Sequence, residues 1–124
     1  MALVKDAIKI SGIDVTTYLT KDPDRALEFY RDVLELPVSW RSERGAEFEL
    51  ADGSTFGLWQ LEDGSWHSSG VVMFGVPDVK AAADYYRGRG AQIAPDVEEN
   101  DNCVMAFGKD PEGNEFILHQ RKSA

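Results

Sequence analysis

The sequence predicts an α+β fold made of two tandem β-α-β-β-β modules, and three observations carry that prediction. The stretch Asp22 to Pro37 reads as a helix with its start and stop written in. Its first ten residues recur at an offset of 56, as Asp78-Val-Lys-Ala-Ala-Ala-Asp-Tyr-Tyr-Arg87. Each copy is preceded by one strand-like stretch and followed by three more, set apart by turn residues.

The first helix starts at Asp22, whose carboxylate can accept a hydrogen bond from an orphan amide of the first turn, and Pro23 follows where a missing N–H costs nothing. Ala26, Phe29, Tyr30, Val33 and Leu34 form one apolar stripe, while Arg25, Glu28, Arg31 and Asp32 take the other faces. Pro37 stops the helix. In the second copy Val79, Ala82, Ala83 and Tyr86 make the stripe, and the Gly88–Gly90 region ends it.

Ile13 to Thr20 is rich in β-branched and aromatic residues and reads as the first strand. With Val15, Thr17 and Leu19 assigned to the helix side, Asp14, Thr16 and Tyr18 face the other way. Val38–Ser42, Ala46–Leu50 and Ser54–Gln60 complete the module, with Gly45 and Asp52-Gly53 as hairpin turns. Residues 61–69 are polar and turn-rich and form a linker, so the modules span 8–60 and 70–121 of a single domain. The second copy continues through Gly70–Val76, its helix, Gln92-Ile93, Cys103–Phe107 and Glu115–Gln120, the last entered by the turn Asp110-Pro-Glu-Gly-Asn114. Glu98–Asn102 reads as a solvated acidic loop.

Composition bounds the possibilities. A chain of 124 residues, 43% hydrophobic, suffices for one core shared by two small modules but not for two independent domains. The net charge of −9 argues against a nucleic-acid or anionic-membrane surface and suits a cationic or neutral ligand. With Cys103 alone no intrachain disulfide can form, and the first residues lack the apolar run of a signal peptide or membrane span, so a cytoplasmic address is expected.

The two modules, the helix signature ending before Leu34-Glu-Leu-Pro37, and the Asp110–Asn114 turn together resemble the vicinal oxygen chelate superfamily, the glyoxalase, bleomycin-resistance and extradiol-dioxygenase fold. The resemblance covers nearly the whole chain. It implies sheets curled around a cup with the helices outside, and homodimers in which both subunits contribute modules to each of two cavities. Metal-dependent members of that superfamily draw His, Glu or Gln ligands from the first and last strand of each module. Those places map here to Asp14 or Val15, to Gly57, to Val71 and to Ile117, at best one donor in four. No cofactor is expected on that count.

Other candidate chemistries are thin. His67 lies in the linker, and Cys103 sits in an apolar strand without a basic neighbour in sequence. His119 shares a strand face with Ile117 and Glu115, so a displaced metal site of Asp14, Glu115 and His119 is the alternative to a metal-free one. The aromatic inventory points to binding instead. Trp40 and Trp59 lie on first-module strands, Tyr18 shares a side with Asp14 and Thr16, and Met73 shares one with Val71. The predicted ligand-binding set is therefore Asp14, Thr16, Tyr18, Trp40, Trp59, Met73, Glu115 and Ile117.

The resulting expectation is a metal-free, homodimeric binding protein of the bleomycin-resistance type that sequesters an aromatic or cationic natural product. The rival is a glyoxalase-type lyase, isomerase or dioxygenase with the shifted ligands. A third alternative is a regulatory or structural module whose cup is collapsed.

Overall fold

The computed structural model describes residues 7–11 and 13–122. In the first module β1 (Thr16–Leu19) leads into α1 (Pro23–Glu28), followed by β2 (Val38–Ser42), β3 (Gly45–Glu49) and β4 (Thr55–Trp59). The second repeats this with β5 (Val72–Gly75), α2 (Val79–Gly88), β6 (Gln92–Ile93), β7 (Glu98–Glu99), β8 (Cys103–Lys109) and β9 (Glu115–Arg121). Strand order is β1-β4-β3-β2 in one sheet and β5-β9-β8-β6 in the other, and in each the first strand pairs parallel to the last. The acidic segment departs from expectation: Glu98 and Glu99 pair with Met105 and Val104 as the short strand β7 instead of forming a free loop.

Both helices start as their sequences dictate, with the carboxylates of Asp22 and Asp78 each accepting a hydrogen bond from the amide three residues on, at 3.2 Å. Their ends differ. After Glu28 the first helix widens into a π-helical turn, Phe29–Val33, and closes with the Leu36 amide donating to the Tyr30 carbonyl at 2.9 Å. Glu35 takes the left-handed conformation that this closure demands, with φ 61°, at a position where glycine is the usual occupant.

One face of each sheet packs into a common core. The Phe56 and Phe74 rings meet edge-to-face at 5.3 Å, and Phe29 lies 6.1 Å from Phe116, so aromatic contacts cross from module to module. A buried polar latch joins them as well. Asp110 accepts hydrogen bonds from the Tyr30 hydroxyl at 2.8 Å, from the amides of Glu112 and Asn114, and from the Asn114 side chain. Asn114 in turn receives the Ser69 amide and donates to the Leu19 carbonyl, tying the Asp110–Asn114 turn to β1 and the linker. Burial, reinforced by Asp110, pushes the Tyr30 phenol far above its ordinary pKa. The linker itself is anchored, since the Trp66 indole donates to the Leu19 carbonyl at 3.2 Å with the Lys21 ammonium 4.3 Å from the ring centre.

Candidate functional site

The faces turned away from the common core are where the modules leave side chains free, and strand pairing states which residues share them. In the first sheet Thr17, Gly57, Glu47 and Trp40 stand side by side across β1, β4, β3 and β2. Leu19, Trp59, Gly45 and Ser42 form the next row. Thr17, Leu19, Trp40, Glu47, Gly57 and Trp59 line a concavity of about 400 Å³. Trp40 and Trp59 keep 46% and 37% of their surface exposed, a large apolar area for two tryptophans on a folded domain.

Two glycines shape that surface. A Cβ on Gly45 would sit 2.0 Å from the Leu58 carbonyl oxygen and 3.0 Å from the Trp59 ring, so the indole lies over the bare backbone of Gly45. At Gly57 the opposite holds: the space a side chain would need is held by Thr17 Oγ1 and Val15 Cγ1, each 3.2 Å away.

The expected assignment of sides on β1 is inverted. Tyr18 is 1% exposed and belongs to the core, where its hydroxyl donates to the Glu115 carbonyl and accepts the Val72 amide at 2.6 Å. Burial raises its pKa above the ordinary phenol value. Thr16 pairs with the buried Phe56 on that same side, and Asp14 lies exposed before the strand. The reason is reach: Tyr18 alone on this strand is long enough to satisfy polar backbone groups of the second module across the shared core. Val15, Thr17 and Leu19 therefore take the open side.

In the second sheet Met73, Ile117 and Phe107 are cross-strand neighbours on the open face, with Glu115 beside Lys109 one row away. Met73 is 52% exposed, whereas Ile117 retains 6% because Met73 and Phe107 flank it. Of the predicted binding residues, then, Trp40 and Trp59 come together, Met73, Ile117 and Glu115 share the other sheet's open face, and Asp14, Thr16 and Tyr18 fall outside both groups. Glu47 was missed, although the alternation Ala46-Glu-Phe-Glu49 marks it as lying opposite the apolar side.

The residues do not fit a divalent metal. Gly57, Val71 and Ile117 offer no donor, and Thr17 and Val15 fill the space over Gly57. The displaced set of Asp14, Glu115 and His119 fails too. Glu115 and His119 are four residues apart on one strand, about 13 Å between Cα atoms, with Ile117 between them. Among the described residues no group of three or more His, Cys, Asp or Glu is placed to hold a metal ion. His67 is exposed in the linker, its Nδ1 3.1 Å from the Ser68 carbonyl oxygen. Cys103 is half-buried with Arg121 as its cross-strand neighbour, a basic partner that sequence adjacency does not reveal.

Residues 13–119 match the family model described as a glyoxalase-like domain. No curated protein matches the chain. Among solved structures it is similar to a glyoxalase/bleomycin resistance protein/dioxygenase superfamily member from Sphaerobacter thermophilus, with TM-score 0.77, 20% identity and coverage of 90% of this chain and 98% of that one. A glyoxalase/bleomycin resistance protein/dioxygenase from Nocardioides matches with TM-score 0.72 at 16% identity, over 99% and 93% of the two chains. A lactoylglutathione lyase from Agrobacterium tumefaciens matches with TM-score 0.74 at 19% identity, over 90% and 94%.

Proposed function

The chain belongs to the glyoxalase-like domain family, within the glyoxalase/bleomycin resistance/dioxygenase superfamily, and on that premise we propose that it is a metal-free small-molecule binding protein. The ligand is a planar aromatic cation held on the open face of the first sheet. The observation that carries this reading is the Glu47 carboxylate on the same face as Trp40 and Trp59, in a concavity whose metal-ligand position is a glycine. Indole faces attract flat cations by about 0.5–2 kcal/mol each, and a carboxylate in the same concavity adds charge complementarity. Sequestration of a toxic natural product, as in bleomycin resistance, is the physiological use this chemistry suits, and a cytoplasmic address belongs to the same reading.

Titration with a planar cation such as N-methylacridinium should quench tryptophan fluorescence saturably. Affinity should fall as salt screens the acidic field, and by about two- to thirtyfold in Trp59→Ala or Trp40→Ala, the range that one cation–π contact spans. An unchanged signal with cations, alongside saturable binding of a thiol-conjugate or an anion, overturns the proposal in favour of glyoxalase-type chemistry.

We also propose that a second copy of the chain covers the remaining open apolar surface, which includes Val71, Met73 and Phe107. Exposed apolar residues clustered on one sheet face favour an isologous contact. Light scattering at micromolar concentration should give a dimer mass, and Met73→Lys should shift it to the monomer. A monomer mass for the unaltered protein contradicts the shared-face arrangement.

A further inference from the structure

The open face of the first sheet holds two polar groups that border the same stretch of bare backbone from opposite sides. Thr17 stands beside Gly57 across the β1–β4 pairing, and Glu47 stands beside Gly57 across the β3–β4 pairing. With neighbouring strands about 4.8 Å apart, one small planar group above Gly57 can reach both. Thr17 turns its hydroxyl oxygen toward that glycine, since Oγ1 lies 3.2 Å from where a Gly57 Cβ would be and the threonine methyl is not among the nearest atoms. Both residues line the concavity that also contains Trp40 and Trp59.

Neither group is spent on the fold. The nearby Thr20 hydroxyl is engaged with Glu112, whereas that of Thr17 has no hydrogen-bond partner among the described residues. Glu47 is half-buried, yet among the described residues it is in no ion pair within 4.0 Å. A basic side chain is also missing from its own face: no Lys or Arg occupies an open-side position of β1 to β4, and Arg41 alternates to the helix side, where it pairs with Asp24. A half-buried carboxylate gains most from a partner that brings hydrogen-bond donors as well as charge. A quaternary cation brings charge alone. An amidinium or guanidinium offers two parallel N–H groups that match the two carboxylate oxygens, and a further N–H to the side, all in one plane.

We propose that the open face selects aromatic amidinium and guanidinium compounds over quaternary cations of the same size, and that Thr17 sets this selectivity. The inference rests on the open-face reading above and narrows its ligand class. Glu47 takes the two parallel N–H groups, Thr17 Oγ1 accepts the third, and the attached ring lies against Trp40, the cross-strand neighbour of Glu47, and Trp59.

The test uses two bicyclic cations of equal charge, 2-naphthamidinium and N-methylquinolinium, titrated calorimetrically into the full-length protein. The amidinium should bind about tenfold more tightly, the order expected when a charge contact gains bidentate hydrogen bonds. Thr17→Val, a near-isosteric change at an exposed position, should weaken amidinium binding about fivefold, the order of one partly exposed hydrogen bond, and leave N-methylquinolinium unchanged. Thr17→Ser keeps the oxygen and should keep the preference. Equal affinities for the two probes, a preference that survives Thr17→Val, or one lost equally in Thr17→Ser would each overturn the proposal. N-methylacridinium titrated in parallel distinguishes the two failures. If it binds while the amidinium is not preferred, the selectivity is wrong and the open-face site stands; if no cation binds, both are wrong.

Discussion

Asp110→Ala should destabilise the protein by about 3–5 kcal/mol, the largest effect expected of any single polar substitution. Asp110 is 3% exposed, and its carboxylate accepts four hydrogen bonds: Oδ1 takes the Glu112 and Asn114 amides, and Oδ2 takes the Tyr30 hydroxyl and the Asn114 side chain. Removing it strands several buried donors, and each abandoned group costs about 1–3 kcal/mol. Against the 5–15 kcal/mol typical of a whole domain, that loss is severe. Urea unfolding should show a lower midpoint at an unchanged slope, with Asp110→Asn between the alanine variant and the unaltered protein because the amide keeps one acceptor oxygen. A midpoint within experimental error of the unaltered protein contradicts the latch.

Gly108→Ala should cost about 2–3 kcal/mol although it adds a single methyl group. The new Cβ would come within 2.4 Å of Phe116 Cζ and 2.7 Å of its Cε2. Phe116 is fully buried against Phe29 and Phe74, so the ring has nowhere to retreat. Shortening the partner should relieve the clash: in Gly108→Ala/Phe116→Leu the combined loss should be smaller than the sum of the two single losses. Simple additivity would show that the close approach of strand and ring is not what requires glycine here.

The helices and the repeat were legible because their determinants are local. Asp22-Pro23 and Asp78 write the caps into the sequence, and the apolar stripes follow the helical period. The three strands after the first helix and three of the four after the second were marked by turn residues, and the Asp110–Asn114 turn was evident from its composition. The side of β1 that faces the core was not, because Thr16 and Thr17 are chemically equal and Tyr18 and Leu19 are both apolar enough to be buried. Only the reach of the Tyr18 hydroxyl to Val72 and Glu115, tens of residues away, decides it. The same limit explains Glu47. Its place beside Phe48 was readable, but its meeting with Trp40 depends on the register shift between Val38 and Trp40 in β2, which local sequence does not specify. The π-helical turn Phe29–Val33 has no local mark either, since its residues continue the apolar stripe of the helix without a break.

That the first sheet's open face recognises its ligand through indoles and a carboxylate, without a metal, is tested most directly by calorimetric titration of N-methylacridinium into chelator-treated protein. The account predicts saturable binding with one site per chain, unaltered when zinc or manganese is restored, and weakened about tenfold in Glu47→Gln, the order of a single partly desolvated charge contact. Binding that appears only after the metal is added, or that is indifferent to Glu47→Gln, would contradict it.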